Sequence, residues 1–307
     1  MIMPAVEITN LTKDYEVGFW RKRKVRALHD LSLSIDGHQI FGFLGANGAG
    51  KTTTLKLLMR LIFPTSGSAR ILGHEIQDVQ MHRRIGYLPE NPYFYDYLTA
   101  RELLEYCAEL FGFSAAKRHD CAADLLARVK LDEKRWDTQL RKFSKGMLQR
   151  VGLAQSLVND PEIVFLDEPM SGLDPVGRRE VRDLIASLRD DGKTVFMCSH
   201  ILSDIEVLCD RVAILKRGKL AQVGHLDELR QRPNDPHQME VLATGADIVL
   251  LKQDFPNGAV TATPSGLRIE ISAEDEIERV VAALRKAGGK VVSIQPVKQS
   301  LEELFLE

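Results

Sequence analysis

The segment Gly45-Ala46-Asn47-Gly48-Ala49-Gly50-Lys51-Thr52 constrains this chain more than any other. It fits the pattern G-x-x-x-x-G-K-[ST] and joins an apolar run, Ile40–Leu44, to a helical run expected over Thr53–Leu61. At ordinary glycine content, a chance match in a chain of this size is expected about once in a hundred. Its glycines let backbone N–H groups turn inward on an anion, and the N-terminus of the following helix adds partial positive charge. Lys51 then supplies a point charge for β- and γ-phosphates, and the Thr52 hydroxyl can ligate Mg²⁺.

Two further clusters gain meaning beside such a loop. Ile163-Val164-Phe165-Leu166-Asp167-Glu168 is an apolar strand ending in two carboxylates. Asp167 is placed to hold Mg²⁺, directly or through water, and Glu168 to face the γ-phosphate as general base or water-orienting group. His200 follows the strand Thr194–Cys198 and Ser199, at the strand end where α/β folds bind ligands, which favours a γ-phosphate contact.

The 307 residues suggest about two domains. A net charge of −2 gives no general attraction to nucleic acid or anionic membrane. No apolar run approaches the roughly 18 residues needed to span a bilayer. The N-terminal Met-Ile-Met-Pro lacks the basic and apolar regions of a signal peptide. A soluble, unexported protein is expected. Cys107, Cys121, Cys198 and Cys209 form no CxxC pair and have no histidine at zinc-finger spacing, so reduced thiols are expected.

Strands are expected at Val6–Leu11, Leu31–Ile35, Gln39–Leu44, Ile163–Asp167, Thr194–Cys198 and Arg211–Leu215, with helices between them, as in an α/β domain with a largely parallel sheet. Thr99 and Glu102 form a capping box for a helix from Ala100. Arg232-Pro233-Asn234-Asp235-Pro236 forbids regular structure, which puts a boundary between domains 1–232 and 233–307. The second part carries net −5, leaving +3 for the first. It reads β-α-β-β-α-β-α, with strands at 239–243, 259–263, 267–272 and 290–295, and with Ile277, Val280, Val281 and Leu284 on one helical face. A small α+β accessory domain is expected. Arg21-Lys22-Arg23-Lys24-Val25-Arg26 is strongly basic. It reads as a solvated hairpin loop, with contact to acidic lipid or general attraction of nucleotide as alternatives.

These motifs, with those between them, resemble the ATP-binding cassette (ABC) family over roughly residues 5–225. Leu140-Arg141-Lys142-Phe143-Ser144-Lys145-Gly146-Met147-Leu148-Gln149-Arg150 looks like the family's signature motif, and Ser171-Gly172-Leu173-Asp174 like the loop after the magnesium strand. The resemblance implies a P-loop NTPase cassette with a helical signature subdomain. It implies ATP contacts at Tyr15 (stacking on adenine), Gly45, Asn47, Gly48, Ala49, Gly50, Lys51, Thr52, Thr53, Ser144, Gly146 and Asp174. Magnesium would be held by Thr52, Asp167 and Glu90, and catalysis carried by Glu168 and His200. Two subunits would pack head-to-tail, each ATP lying between one phosphate loop and the partner's signature helix.

Two departures stand out. The signature reads Phe-Ser-Lys-Gly-Met, with Lys145 for a glycine and Met147 for the terminal glutamine. In Ile85-Gly86-Tyr87-Leu88-Pro89-Glu90, Glu90 replaces a glutamine; it either ligates the metal or points into solvent. Together these look like the branch whose cassettes energise exporters with a separate permease chain (ABC-2 type). The expectation is an ATP-hydrolysing homodimer, peripheral on the cytoplasmic face of the membrane, with no nucleic-acid partner. A soluble ABC-type ATPase acting on ribosomes or DNA is the alternative, but this chain has a single phosphate loop and no visible coiled-coil or zinc insertion. A non-hydrolysing regulator is disfavoured by the intact Lys51, Asp167, Glu168 and His200.

Overall fold

A computed structural model describes residues 4–18, 22–229, 239–255, 260–263, 266–271 and 276–296. The chain divides into two compact units, Met1–Leu226 and Asp227–Glu307. The sequence boundary at 232/233, Arg21 of the basic run and the last expected helix lie outside the described residues.

The first unit opens with a long hairpin, β1 (Val6–Val17) and β2 (Arg23–Ile35). Then come β3 (Ile40–Leu44), α1 (Lys51–Leu58), β4 (Ser66–Ile71), β5 (His74–Glu75) and β6 (Ile85–Leu88). Helices α2 (Ala100–Leu110), α3 (Ala115–Arg128) and α4 (Lys145–Ser156) pack against one another. The capping box of α2 forms as expected, with Thr99 Oγ1 accepting from Glu102 N at 3.2 Å and Glu102 Oε2 from Thr99 N at 2.8 Å. After them run β7 (Ile163–Asp167), α5 (Pro175–Asp190), β8 (Thr194–Ser199), α6 (Leu202–Leu208), β9 (Arg211–Lys216) and β10 (Lys219–His225), and the short α7 (Leu226–Leu229) begins at the last residue of this unit.

Among the described residues of this unit the strands form two sheets. One has the order β10-β9-β3-β8-β7-β6, parallel except for β10. The other, β2-β1-β4-β5, is antiparallel throughout. The strands expected at Val6–Leu11 and Leu31–Ile35 therefore exist, but they extend further and lie outside the parallel sheet. The basic residues Arg23–Arg26 are strand rather than loop, since Val17 pairs with Arg23 and Asp14 with Arg26. Cross-strand ion pairs neutralise them in part, Arg26 Nε lying 2.7 Å from Asp14 Oδ1.

Every residue of β3, β7 and β8 is buried, which is why these strands read as continuous apolar runs. At their centre the Phe196 ring lies 5.7, 5.3 and 5.5 Å from those of Phe41, Phe43 and Phe165. Burying each ring contributes about 2–3 kcal/mol, with about 0.5–1.5 kcal/mol more for each aromatic pair. The four free cysteines are buried or half-buried. No helix among the described residues is long and apolar enough to cross a membrane.

The second unit contains β11 (Met239–Thr244), α8 (Ile248–Asp254), β12 (Val260–Thr263), β13 (Gly266–Ile271), α9 (Ile277–Lys286) and β14 (Lys290–Pro296). Its antiparallel sheet has the order β12-β13-β11-β14, a split β-α-β arrangement. Val280 and Leu284 of α9 enter a core with Val241, Leu251, Val260 and Ile269, as the helical spacing requires.

Candidate functional site

β3, β8, β7 and β6 are parallel neighbours, so their C-terminal ends share one edge of the sheet. That topology brings Gly45–Gly50, Ser199-His200, Glu168 and Pro89-Glu90 together from distant parts of the sequence. The helix after the loop begins at Lys51, earlier than expected, and ends at Leu58. The reason is Gly50, whose φ of +109° turns the chain directly into the helix. A Cβ there would also lie 2.9 Å from the Ala27 carbonyl. No side chain caps α1, which leaves the N–H groups of its first turn for an anion.

A cavity of about 280 Å³ is lined by Asn47, Gly48, Gly50, Lys51, Thr52, Thr53, Glu90 and Glu168, with Ala27 and Ala46. Gly45 and Ala49 lie buried under the loop. Lys51 is only 6% exposed; its Nζ donates to Gly45 O at 2.6 Å and stands 3.8 Å from Glu168 Oε1. Tyr15, on β1, is outside the lining, its hydroxyl 3.5 Å from Thr53 Oγ1 and its ring 5.2 Å from Lys13 Nζ. Glu90 is exposed toward solvent yet faces this cavity, which places it between its two expected positions.

Glu168 is 6% exposed and holds φ at +52°, a left-handed conformation that costs a non-glycine residue about 1–3 kcal/mol. Its Oε1 is 2.8 Å from His200 Nδ1, and its Oε2 is 3.5 Å from Ser199 Oγ. A carboxylate oxygen accepts here, so Nδ1 is the donor of this bond and Nε2 is the ring nitrogen left without a bond to Glu168. Asp167 is 1% exposed, and neither of its carboxylate oxygens completes a hydrogen bond. Burial pushes its pKa up to about 6; the Thr52 hydroxyl works the other way, and the charges of Glu168 and Glu90 add to the rise.

Two buried carboxylate oxygens without partners, next to a threonine and a glutamate, suit a hard cation. No group of three or more His, Cys, Asp or Glu among the described residues could hold a metal on its own. The donor set therefore fits Mg²⁺, which binds through one or two carboxylates while substrate phosphates and waters complete its octahedron.

Ser144, Gly146 and Asp174 do not line the cavity. Ser144 caps α4, its Oγ accepting from Met147 N at 3.3 Å, and Asp174 caps α5, its Oδ1 accepting from Gly177 N at 2.8 Å. The two caps are linked within the chain. The Lys145 stem lies over Gly172, and Lys145 Nζ is 3.4 Å from Ser171 Oγ. The sequence alone assigns no role to Ser199 or Gln149. Ser199 was signalled only by its place after a strand, whereas Gln149, 1% exposed and bonded to the carbonyls of Glu168 and Pro169, carried no local signal.

A P-loop nucleotide-binding cassette is the class that this fold and cavity define. The ABC transporter family matches over residues 28–171. An uncharacterized ABC transporter ATP-binding protein of Nostoc sp. is 45% identical over 99% of this chain and 89% of its own length. The bacitracin transport ATP-binding protein BcrA of Bacillus licheniformis is 34% identical over 98% of this chain and 96% of its own. Among solved structures, a dimeric ATP-binding cassette in a post-hydrolysis state, bound to ADP and Pi, superposes with a TM-score of 0.67 at 28% identity, covering 72% of this chain and 98% of that one. The chain belongs to the ABC transporter ATP-binding proteins.

Proposed function

We propose that this chain is the ATP-hydrolysing subunit of a membrane exporter, acting as a head-to-tail homodimer on a separate permease that holds it at the cytoplasmic face. The observation that carries the reading is the division of the nucleotide-binding groups. Lys51, Thr52, Glu90 and Glu168 line one cavity, while Ser144 and Gly146, at the start of α4, are outside it. A second subunit turned through a two-fold axis supplies the missing half. The dimeric solved cassette and the transport protein BcrA support this arrangement and this role.

The residues have separable tasks. The N–H groups of the loop and of α1 bind the phosphates, and Lys51 balances their charge. Tyr15, beyond the rim, offers a ring for adenine. Thr52, Asp167 and Glu90 would hold Mg²⁺, which when bound offsets charge on the β- and γ-phosphate oxygens. Glu168 orients a water and takes its proton, while His200 fixes the Glu168 carboxylate through Nδ1. Ser144 and Gly146 of the partner copy contact the γ-phosphate from across the interface. ATP thus bridges the two subunits, and its cleavage removes the bridging charge, giving a closing and opening motion for a permease to use.

Mixing subunits tests this. Lys51→Ala and Ser144→Ala homodimers should each lose turnover. An equal mixture should recover about a quarter of the wild-type rate, because random pairing makes half the dimers mixed and each mixed dimer has one intact site. A mixture no more active than its components would sink the head-to-tail arrangement.

A further inference from the structure

Helix α4 is bonded directly to the turn that carries Glu168. Gln149, one turn into the helix and 1% exposed, donates from Nε2 to Pro169 O at 3.0 Å and to Glu168 O at 3.4 Å. Ser171 N reaches the same Glu168 carbonyl at 3.0 Å. Nearer the start of the helix, the Lys145 stem covers Gly172, and a Cβ on Gly146 would lie 3.2 Å from Leu173 Cδ2. The first turns of α4 and the stretch 168–173 therefore touch at three successive levels.

The peptide that Gln149 holds is a strained one. Glu168 keeps φ at +52°, so its backbone stays there only while neighbouring groups hold it, and its carboxylate follows any rotation of that backbone. Gln149 is a buried amide whose donor is spent wholly on this turn. It is well placed to transmit movement, because a shift of α4 by a few tenths of an ångström lengthens both bonds together.

We propose that Gln149 is a positioning residue coupling the two nucleotide sites of the dimer, an inference that rests on the head-to-tail reading above. In that arrangement the start of a subunit's α4 belongs to the site built on its partner's phosphate loop, while its Glu168 belongs to its own. Gln149 joins these two ends within one chain. Nucleotide captured at Ser144 and Gly146 sets α4, α4 sets the turn through Gln149, with Lys145 assisting, and the turn sets Glu168 in the other site. The coupling runs both ways, so loosening the turn also loosens the grip of α4 on the partner's nucleotide.

The test uses heterodimers of the full chain, co-expressed with two different tags and purified by both. One subunit carries Glu168→Gln, which silences the site on its own loop. The remaining site uses the partner's phosphate loop and Glu168 together with the silenced subunit's α4. Gln149→Met is then placed in either subunit, and kcat and KM for ATP are measured separately. In the silenced subunit, where no working Glu168 is left to support, the substitution should raise KM about fivefold and leave kcat within about twofold. In the other subunit it should lower kcat about tenfold with little change in KM. An unchanged KM in the first arrangement would make Gln149 a local support only, and an unchanged kcat in the second would remove its positioning role. Lys145→Met, an exposed change, should move the same parameters in the same directions by about twofold and serves if Gln149→Met lowers the melting temperature too far. Before either change, the Glu168→Gln heterodimer should turn over at about half the wild-type rate. Adding Ser144→Ala to the silenced subunit should then abolish the remaining turnover, and adding it to the other subunit should not; turnover indifferent to which subunit carries Ser144→Ala would overturn the head-to-tail reading itself, a failure distinct from loss of the coupling.

Discussion

Glu168 Oε1 lies 2.8 Å from His200 Nδ1, so the histidine after β8 is bonded to the carboxylate after β7 across adjacent strands. The same oxygen stands 3.8 Å from Lys51 Nζ. One carboxylate is thus held between the phosphate lysine and an imidazole, and its free motion is small before any water is bound to it.

Replacing that carboxylate separates binding from chemistry. Glu168→Gln should leave ATP affinity within about threefold of wild type while lowering turnover about 10²–10³-fold, since the amide keeps the shape and loses the basic oxygen. Phosphate release measures the turnover, and an ATP-dependent shift in size-exclusion elution reports the stalled dimer. Turnover near wild type would remove Glu168 from the role of base.

Asp167 makes the stability of the metal-free protein depend on pH in a definite direction. Its pKa is raised from 3.8 to about 6, chiefly by burial, so between these values the folded protein binds more protons than the unfolded one. The stability this group contributes is present in full below its ordinary pKa and is lost as pH rises through about 6. Asp167→Asn does not titrate. In EDTA its melting temperature should match wild type near pH 4 and exceed it by about 2–6 °C at neutral pH. Added Mg²⁺ and ATP should stabilise wild type more than the variant. A constant difference between the two proteins across this pH range would contradict the assignment.

Glu90 brings a negative charge to the phosphate cavity where a glutamine would be neutral. Without metal it repels the triphosphate, and with Mg²⁺ it offers a hard oxygen. Glu90→Gln should bind metal-free ATP about two- to fivefold more tightly and show a weaker gain in affinity on adding Mg²⁺. Titrating ATP with and without Mg²⁺ against both proteins reads this directly. Identical metal dependence would leave the Glu90 side chain without a part in the metal site.

The second unit has its own core around Val241, Ile269 and Val280. A chain ending at Arg232 should therefore fold and bind ATP within about threefold of the full chain, because the groups lining the phosphate cavity all lie in the first unit. Loss of ATP binding in a truncation with an intact thermal transition would show that residues 233–307 contribute to the site.

What could be read from the sequence follows the range of the forces involved. The phosphate loop was legible because its chemistry is contiguous, and β3, β7 and β8 because burial on both faces leaves no polar interruption. Two errors came from pairing that no short window contains. Arg23–Arg26 reads as loop in the sequence because five of the six residues from Arg21 to Arg26 are basic, whereas Asp14 across the hairpin makes strand acceptable there. Val6–Leu11 looked like part of a parallel sheet, although an apolar alternation does not say which strand will lie beside it. Gln149 leaves no mark in the sequence because a glutamine in a helix acquires meaning only from the carbonyls that packing brings to it.

Phe196 stands under the three loops that meet at the phosphate cavity, with rings of β3 and β7 on either side. Loop tips and strand roots consequently belong to different tiers of opening. Gly48 and Glu90, both exposed, can breathe as nucleotide enters and leaves, whereas separating the strand ends that carry the loops requires the aromatic cluster to come apart, and with it the whole unit. Amide hydrogens of β8 should then exchange only as fast as the cassette unfolds, while those at the loop tips exchange on the timescale of turnover. Nucleotide cycling can deform this surface repeatedly without erasing the spacing on which the next cycle depends.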